Sequence, residues 1–250
     1  VIADEVTPAQ LPWFARLADF VCDGLDEVGY VYCPGGIMAK TEQWRQPLAR
    51  WQDTVRKWTR SPTPDAVMRV SIFFDIRCIY GDCQLADALQ KTMLEQASRN
   101  SIFLAALAAN ALDSKPPLGI FRRFVVDRDG EHRSELDLKK RGVLPVTEII
   151  RLHALAHGIA AVNTEERLKA LAAAKHLTIG GSRNLVDALH FLQQLRIKHQ
   201  CEQIVKGQPV SNFLNPRDLP KMAKEQLRDA FTIIDEAQSS VRQTYRAGMG

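Results

Sequence analysis

Long apolar runs are missing from this 250-residue chain. Its most hydrophobic stretch, IFLAALAANAL at 102–112, falls well short of the roughly 20 residues that a bilayer-spanning helix needs, and no basic-then-apolar leader opens the sequence. Cysteine is scarce and odd in number: Cys22, Cys33, Cys78, Cys83 and Cys201 include no C-x-x-C pair. That pattern argues against a disulfide framework and a structural zinc site, and suits a reducing cytoplasm. Neither sign of charge dominates. The net +4 is small for this length and its basic residues are scattered, so a dedicated nucleic-acid surface is not indicated, while a small anion would not be repelled. Internal repeats and low-complexity segments are absent. No Ser/His/Asp or Cys/His nucleophile arrangement can be argued from the order of residues, so hydrolase chemistry has no support.

What is present is an ordinary globular composition, 46% hydrophobic and 25% charged, sufficient for one large domain or two modest ones. Leu11, Phe14, Leu17, Val21, Leu25 and Val28 recur at intervals of three and four, with Gly29 at the exit, and predict a helix. YVYCPGGIMAK reads as a short strand entering a glycine loop. Trp44, Leu48, Trp51, Val55 and Trp58 predict a second helix over 42–59 with three indoles on one stripe, which suits core packing; a base-stacking platform would need the rings exposed. FFDIRCIYGD at 73–82 reads as a half-buried strand, with Ile72, Phe74, Ile76 and Cys78 on one face and Phe73, Asp75 and Arg77 on the other. Helices follow in CQLADALQKTMLEQAS and SIFLAALAANAL. The segment 121–138 then suggests a β-hairpin turning at Asp129-Gly130. From Pro145 onward helices are expected at 145–160, 164–177, 182–206 and 217–246.

Several residues invite chemistry. Asp75 on a strand face can ligate magnesium or act as a base, or it can pair with Arg77. Gly35 and Gly36 in CPGGIMAK allow close backbone approach to an anion, although the P-loop pattern is absent and a plain turn has the same sequence. Lys139 and Lys140, at a strand end in LDLKKRGVLP, either reach a phosphate or form a solvated basic turn. His153 and His157 have zinc spacing but lack the His-Glu-x-x-His glutamate and a third ligand nearby.

The stretches CPGGIMAKTEQWRQPLARWQDTVRKW, SIFFDIRCIYGD, PPLGIFRRFVV and ELDLKKRGVLPVTEIIRLHALAHGI together resemble a bacterial family of nucleotidyltransferase-like signalling proteins related to the PII-protein uridylyltransferase, often linked to CBS and cyclic-nucleotide-binding domains. The resemblance covers nearly the whole chain. It implies an α+β fold: a truncated polymerase-β-like nucleotidyltransferase sheet with helices over 1–95, followed over 96–250 by a mainly helical substrate-binding bundle carrying the hairpin. It aligns Asp75 with the family's last strand carboxylate, as metal ligand or base, with Arg77 bracing it. Gly35, Gly36, Lys139 and Lys140 would approach the nucleotide.

By the same resemblance a full-length parent would transfer a uridylyl or adenylyl group from a nucleoside triphosphate, with Mg2+, to a regulatory protein or small-molecule acceptor in signal transduction. A homodimer would be compatible with this. The family's Gly-Ser loop and Asp-x-Asp pair are not in the sequence; VIADEV looks like the tail of the strand that carries the pair, so those motifs are expected upstream of Val1. Two-metal transfer needs several carboxylates, so the chain alone should be inactive. The rival expectation is a non-catalytic signalling module coupled to upstream sensor domains.

Overall fold

A computed structural model describes residues 1–119, 123–126 and 132–245. The described residues are mostly helical. In chain order the helices are α1 (Leu11–Glu27), α2 (Leu48–Arg60), α3 (Pro64–Phe73), α4 (Cys83–Ser98), α5 (Ser101–Asp113), α6 (Leu144–Ala156), α7 (Thr164–Ala173), α8 (Ile179–Val205) and α9 (Lys221–Thr244). Local chemistry sets their starts: side-chain oxygens of Thr63, Asp82, Asn100, Asn163 and Thr178 accept first-turn N–H groups that have no partner within the helix. A π-helical turn, Lys139–Val143, leads into α6. There Gly142 fits where a Cβ would meet Leu192 Cδ2 at 3.0 Å and Phe231 Cε1 at 3.4 Å, so α8 and α9 close tightly over the turn.

One hydrophobic cluster runs from Trp51 to Val241 and joins the two halves. Within it α8 packs on α9, α2 on α4, and α5 and α7 on α6. The indole stripe belongs to this core. Trp51 is only 3% exposed, Trp58 is buried, and half-buried Trp44 stacks on Trp51 and on Phe73, which removes the base-stacking reading.

Sheet is far scarcer than expected. Strands β1 (Leu136–Asp137) and β2 (Phe213–Leu214) pair antiparallel, so among the described residues the piece expected to close a hairpin pairs with the connection between α8 and α9. Phe124 forms an isolated bridge with Leu118; the proposed turn at Asp129-Gly130 lies outside the described residues. In the amino-terminal half, extended pairing among the described residues is one parallel bridge. Ile2 N–H donates to Gln46 O, and Leu48 N–H to Ile2 O. Tyr30–Cys33 form no strand.

The expected strand at 72–78 is overturned: Ile72 and Phe73 end α3, Phe74 caps it, and Asp75 sits in the turn beyond. The reason lies upstream. Thr63 caps the helix, Pro64 occupies its first position, and Ala66, Val67, Val70 and Phe74 recur at helical spacing on the buried side. The helix expected over 42–59 is likewise divided, because Pro47 leaves Glu42–Trp44 as a separate 3-10 turn before α2. Cys78 and Cys83 are joined in a disulfide across the loop before α4, a bond the cysteine pattern had argued against.

Helix α1 is where expected but its apolar stripe is not buried. Only Ala18 is buried on it, and Phe20 is 77% exposed. The helix is tied to the following loop by Asp23, whose Oδ1 accepts from the Tyr32 hydroxyl and from Lys40 Nζ, each at 2.6 Å.

Candidate functional site

Asp75 faces a cleft of about 510 Å³ between α3, α5 and α6, lined by Ser71, Asn110, Asp113, Glu148 and Arg151 among others. Its carboxylate is gripped from the bundle by two arginines. Arg151 on α6 places Nη2 at 2.5 Å from Oδ2 and Nε at 3.4 Å from Oδ1, while Arg167 on α7 places Nη2 at 2.7 Å from Oδ1. Arg77, expected to brace Asp75, is exposed; the bracing comes from helices distant in sequence.

Each arginine is fixed by more than the carboxylate. Arg151 Nη1 also donates to Glu148 Oε1 at 2.7 Å, and Asn110 Nδ2 lies 3.4 Å from Glu148 Oε2. Arg167 is 1% exposed, donates from Nε to Ala161 O at 2.6 Å, and lies 4.4 Å over the Phe74 ring. Burial works against the charge of both guanidiniums. It wins at Arg167, whose pKa is lowered despite Asp75; at Arg151 the hydrogen bond to Asp75 and the charge of Glu148 outweigh it, and the pKa is raised.

The remaining sequence-predicted residues do not gather here. Gly35 and Gly36 form a closed turn, Gly36 with φ +66° and its N–H on Cys33 O, and neither lines the cleft. Lys139 and Lys140 do follow a strand, at the sheet–bundle junction. Both backbone N–H groups donate to Asp137 Oδ1 at 2.9 Å, but the side chains are exposed and outside the Asp75 cleft.

His153 and His157 form part of a ring stack rather than a metal centre. Their parallel rings lie 6.3 Å apart, His157 stacks on His176 at 3.6 Å, and the Tyr245 hydroxyl lies 3.5 Å from His153 Nδ1. Burial, with smaller contributions from the neighbouring imidazoles, pushes the His153 pKa down to about 4. Among the described residues no group of three His, Cys, Asp or Glu side chains could hold a metal ion.

The family model described as "Putative nucleotidyltransferase substrate binding domain" matches residues 101–245, more than half of the chain. The chain belongs to this family. A second model, "Putative nucleotidyltransferase DUF294", matches residues 1–65. No curated protein and no solved structure matches the chain significantly. In this substrate-binding family member, Arg151 and Arg167 both lie in the matched bundle, whereas Asp75 falls between the two matched stretches.

Magnesium, which nucleotidyl transfer would call for, does not fit the residues present. Both oxygens of Asp75 and one of Glu148 are engaged by guanidinium groups, and among the described residues no three carboxylate, imidazole or thiol side chains gather to hold an ion. No step at a metal is therefore derived for this chain. Sequence reasoning missed Arg151 and Arg167, which carry the site. Their signal was a charge set among apolar neighbours at buried helical positions: Arg151 between Ile150 and Leu152, Arg167 beside Leu168 and one turn before Leu171.

Proposed function

We propose that this chain holds the ligand for a nucleotidyltransferase reaction in which a nucleoside monophosphate passes from a nucleoside triphosphate to a hydroxyl of a protein or small-molecule acceptor. The observation that carries this reading is the cleft at Asp75, closed on one side by the matched bundle and of a size suited to a small ligand. The division of labour would follow the sequence, with 1–95 as the distal part of the transferase domain and 96–250 as the substrate-binding bundle. Bond-making falls to carboxylates that this chain does not contain. Its own residues bind and orient: Asp113, Glu148 and Asn110 offer hydrogen bonds to hydroxyl and amine groups, and Arg151 supplies a fixed positive charge. Lys139, Lys140, Gly35 and Gly36 are outside this cleft and are given no role in it.

Isothermal titration of the chain with UTP and ATP, with and without Mg2+, tests the reading. Saturable binding of one nucleotide per chain, weakened by Glu148→Ala, is the expected result. No binding up to about 10 mM ligand, well beyond the affinity expected of a specific site, would remove it. The exposed apolar side of α1 favours the rival reading, a non-catalytic interaction module in signal transduction. Failure of both nucleotides to bind would leave that module as the better account.

A further inference from the structure

We infer that the Arg151–Arg167 pair is a preformed seat for a terminal phosphate of the cleft's ligand, filled in the ligand-free chain by the Asp75 carboxylate as a displaceable plug. The inference rests on the ligand-holding role proposed above, and it adds the chemical group recognised and the residues that recognise it.

Three observations support it. First, the two guanidiniums are more firmly placed than the anion between them. Arg151 and Arg167 project from α6 and α7, which pack together, and are further held by Glu148, by the Ala161 carbonyl and by the Phe74 ring. Asp75 instead sits on a turn beyond the end of α3, where the Asp75 and Ile76 N–H bonds to Ile72 O and Phe73 O are 3.3 and 3.2 Å long. Its side chain is 35% exposed, against 11% for Arg151 and 2% for Arg167. The carboxylate can swing out with little loss of packing, whereas the arginines cannot.

Second, a nine-tenths-buried guanidinium with one nitrogen directed at a replaceable acid is costly to maintain for structure alone, since isolated buried charge is destabilising. Arg167 Nη2 has its ion-pair contact with Asp75 and lacks a well-aligned hydrogen-bond partner of its own. Third, carboxylate and phosphate oxygens accept from guanidinium in the same forked geometry, so a seat that fits one fits the other. Asp113 and Glu148 line the rest of the cleft and would repel a polyanion stretched along it. They confine the anionic end to the arginines and direct hydroxyl or amine groups of the ligand to themselves. Displacement exchanges one ion pair for another, and no covalent step is involved.

The test uses inorganic phosphate and pyrophosphate, without metal, titrated into the wild-type chain, Asp75→Asn, and Asp75→Asn combined with Arg151→Gln. Removing the plug's charge while keeping its shape should tighten binding about tenfold or more, and removing Arg151 should reverse the gain. Equal affinity of wild type and Asp75→Asn, or an Asp75→Asn affinity untouched by Arg151→Gln, overturns the inference; so does binding traced to an adventitious ion only. If circular dichroism shows that Asp75→Asn does not fold, the wild-type chain supplies the decision. Added phosphate should shift the Nε–Hε resonances of Arg151 and Arg167 and leave in place that of Arg196, which lies on α8 and outside the cleft; no shift overturns the seat. The two proposals separate cleanly. Phosphate binding through the arginines without nucleotide binding keeps the seat and removes the nucleotide reading, while nucleotide binding indifferent to Asp75→Asn and Arg151→Gln does the opposite.

Discussion

Arg167→Met should lower the unfolding free energy by roughly 2–3 kcal/mol, read as a fall in the urea midpoint, because it leaves the Ala161 carbonyl without its donor and strips Asp75 of one of its two guanidiniums. The side chain is 1% exposed and serves three partners at once: Asp75 Oδ1, the Ala161 carbonyl and the Phe74 ring. Methionine fills much of the volume, so the loss reports the polar contacts rather than a cavity. Arg151→Met should cost less, because the position borders the cleft, where water can replace the lost contacts. Asp75→Asn should cost less in the Arg167→Met background than in the wild-type chain, a coupling that a double-mutant cycle measures directly. A single variant within about 1 kcal/mol of wild type would show that the guanidinium is not a structural keystone.

Acid should weaken the chain through His153. Its pKa in the folded protein is about 4 against an ordinary 6.5, so as pH falls below 6.5 the unfolded chain takes up the proton first and stability drains away until about pH 4. Above pH 6.5 the contribution is fully present and flat. The full shift corresponds to an effect on the order of 3 kcal/mol. His157 adds to the trend in the same direction, lowered by its own burial and by His176, and the Tyr245 phenol, pushed up to about 12 by burial, stays neutral throughout. Carboxylates also titrate in this range, so the informative quantity is the difference between wild type and His153→Gln in denaturant melts at pH 7 and pH 4.5. The variant should lose clearly less. Parallel losses would assign the acid sensitivity to other groups.

The helices of the carboxy-terminal half were legible because their apolar spacing is sustained over many residues and their starts carry Asn163 and Thr178. Residues 72–78 were misread because a short stretch satisfies alternation and helical spacing equally; the deciding information, Thr63-Pro64 and the Val67–Val70–Phe74 interval, lies before it. The stripe on α1 was read correctly as helix, but its exposure was not legible, since periodicity reports an amphipathic face and says nothing about what covers it. The site shows the same boundary. Asp75 could be singled out as a charge among apolar residues, but Arg151 and Arg167 reach it across 76 and 92 positions of sequence, and only packing of α6 and α7 brings them together.

The tether between Asp23, Tyr32 and Lys40 sets how the molecule comes apart. Beyond buried Ile2 and its backbone bonds to Gln46 and Leu48, the first forty or so residues are secured chiefly by exposed polar contacts of small net worth, while the remainder is welded by Phe74, Leu107, Ile150 and Phe231. Opening of the leading helix is thus a local event that leaves the remainder intact. Melting curves recorded on the whole polypeptide describe the welded portion, and a protease meets the amino-terminal arm long before that portion yields.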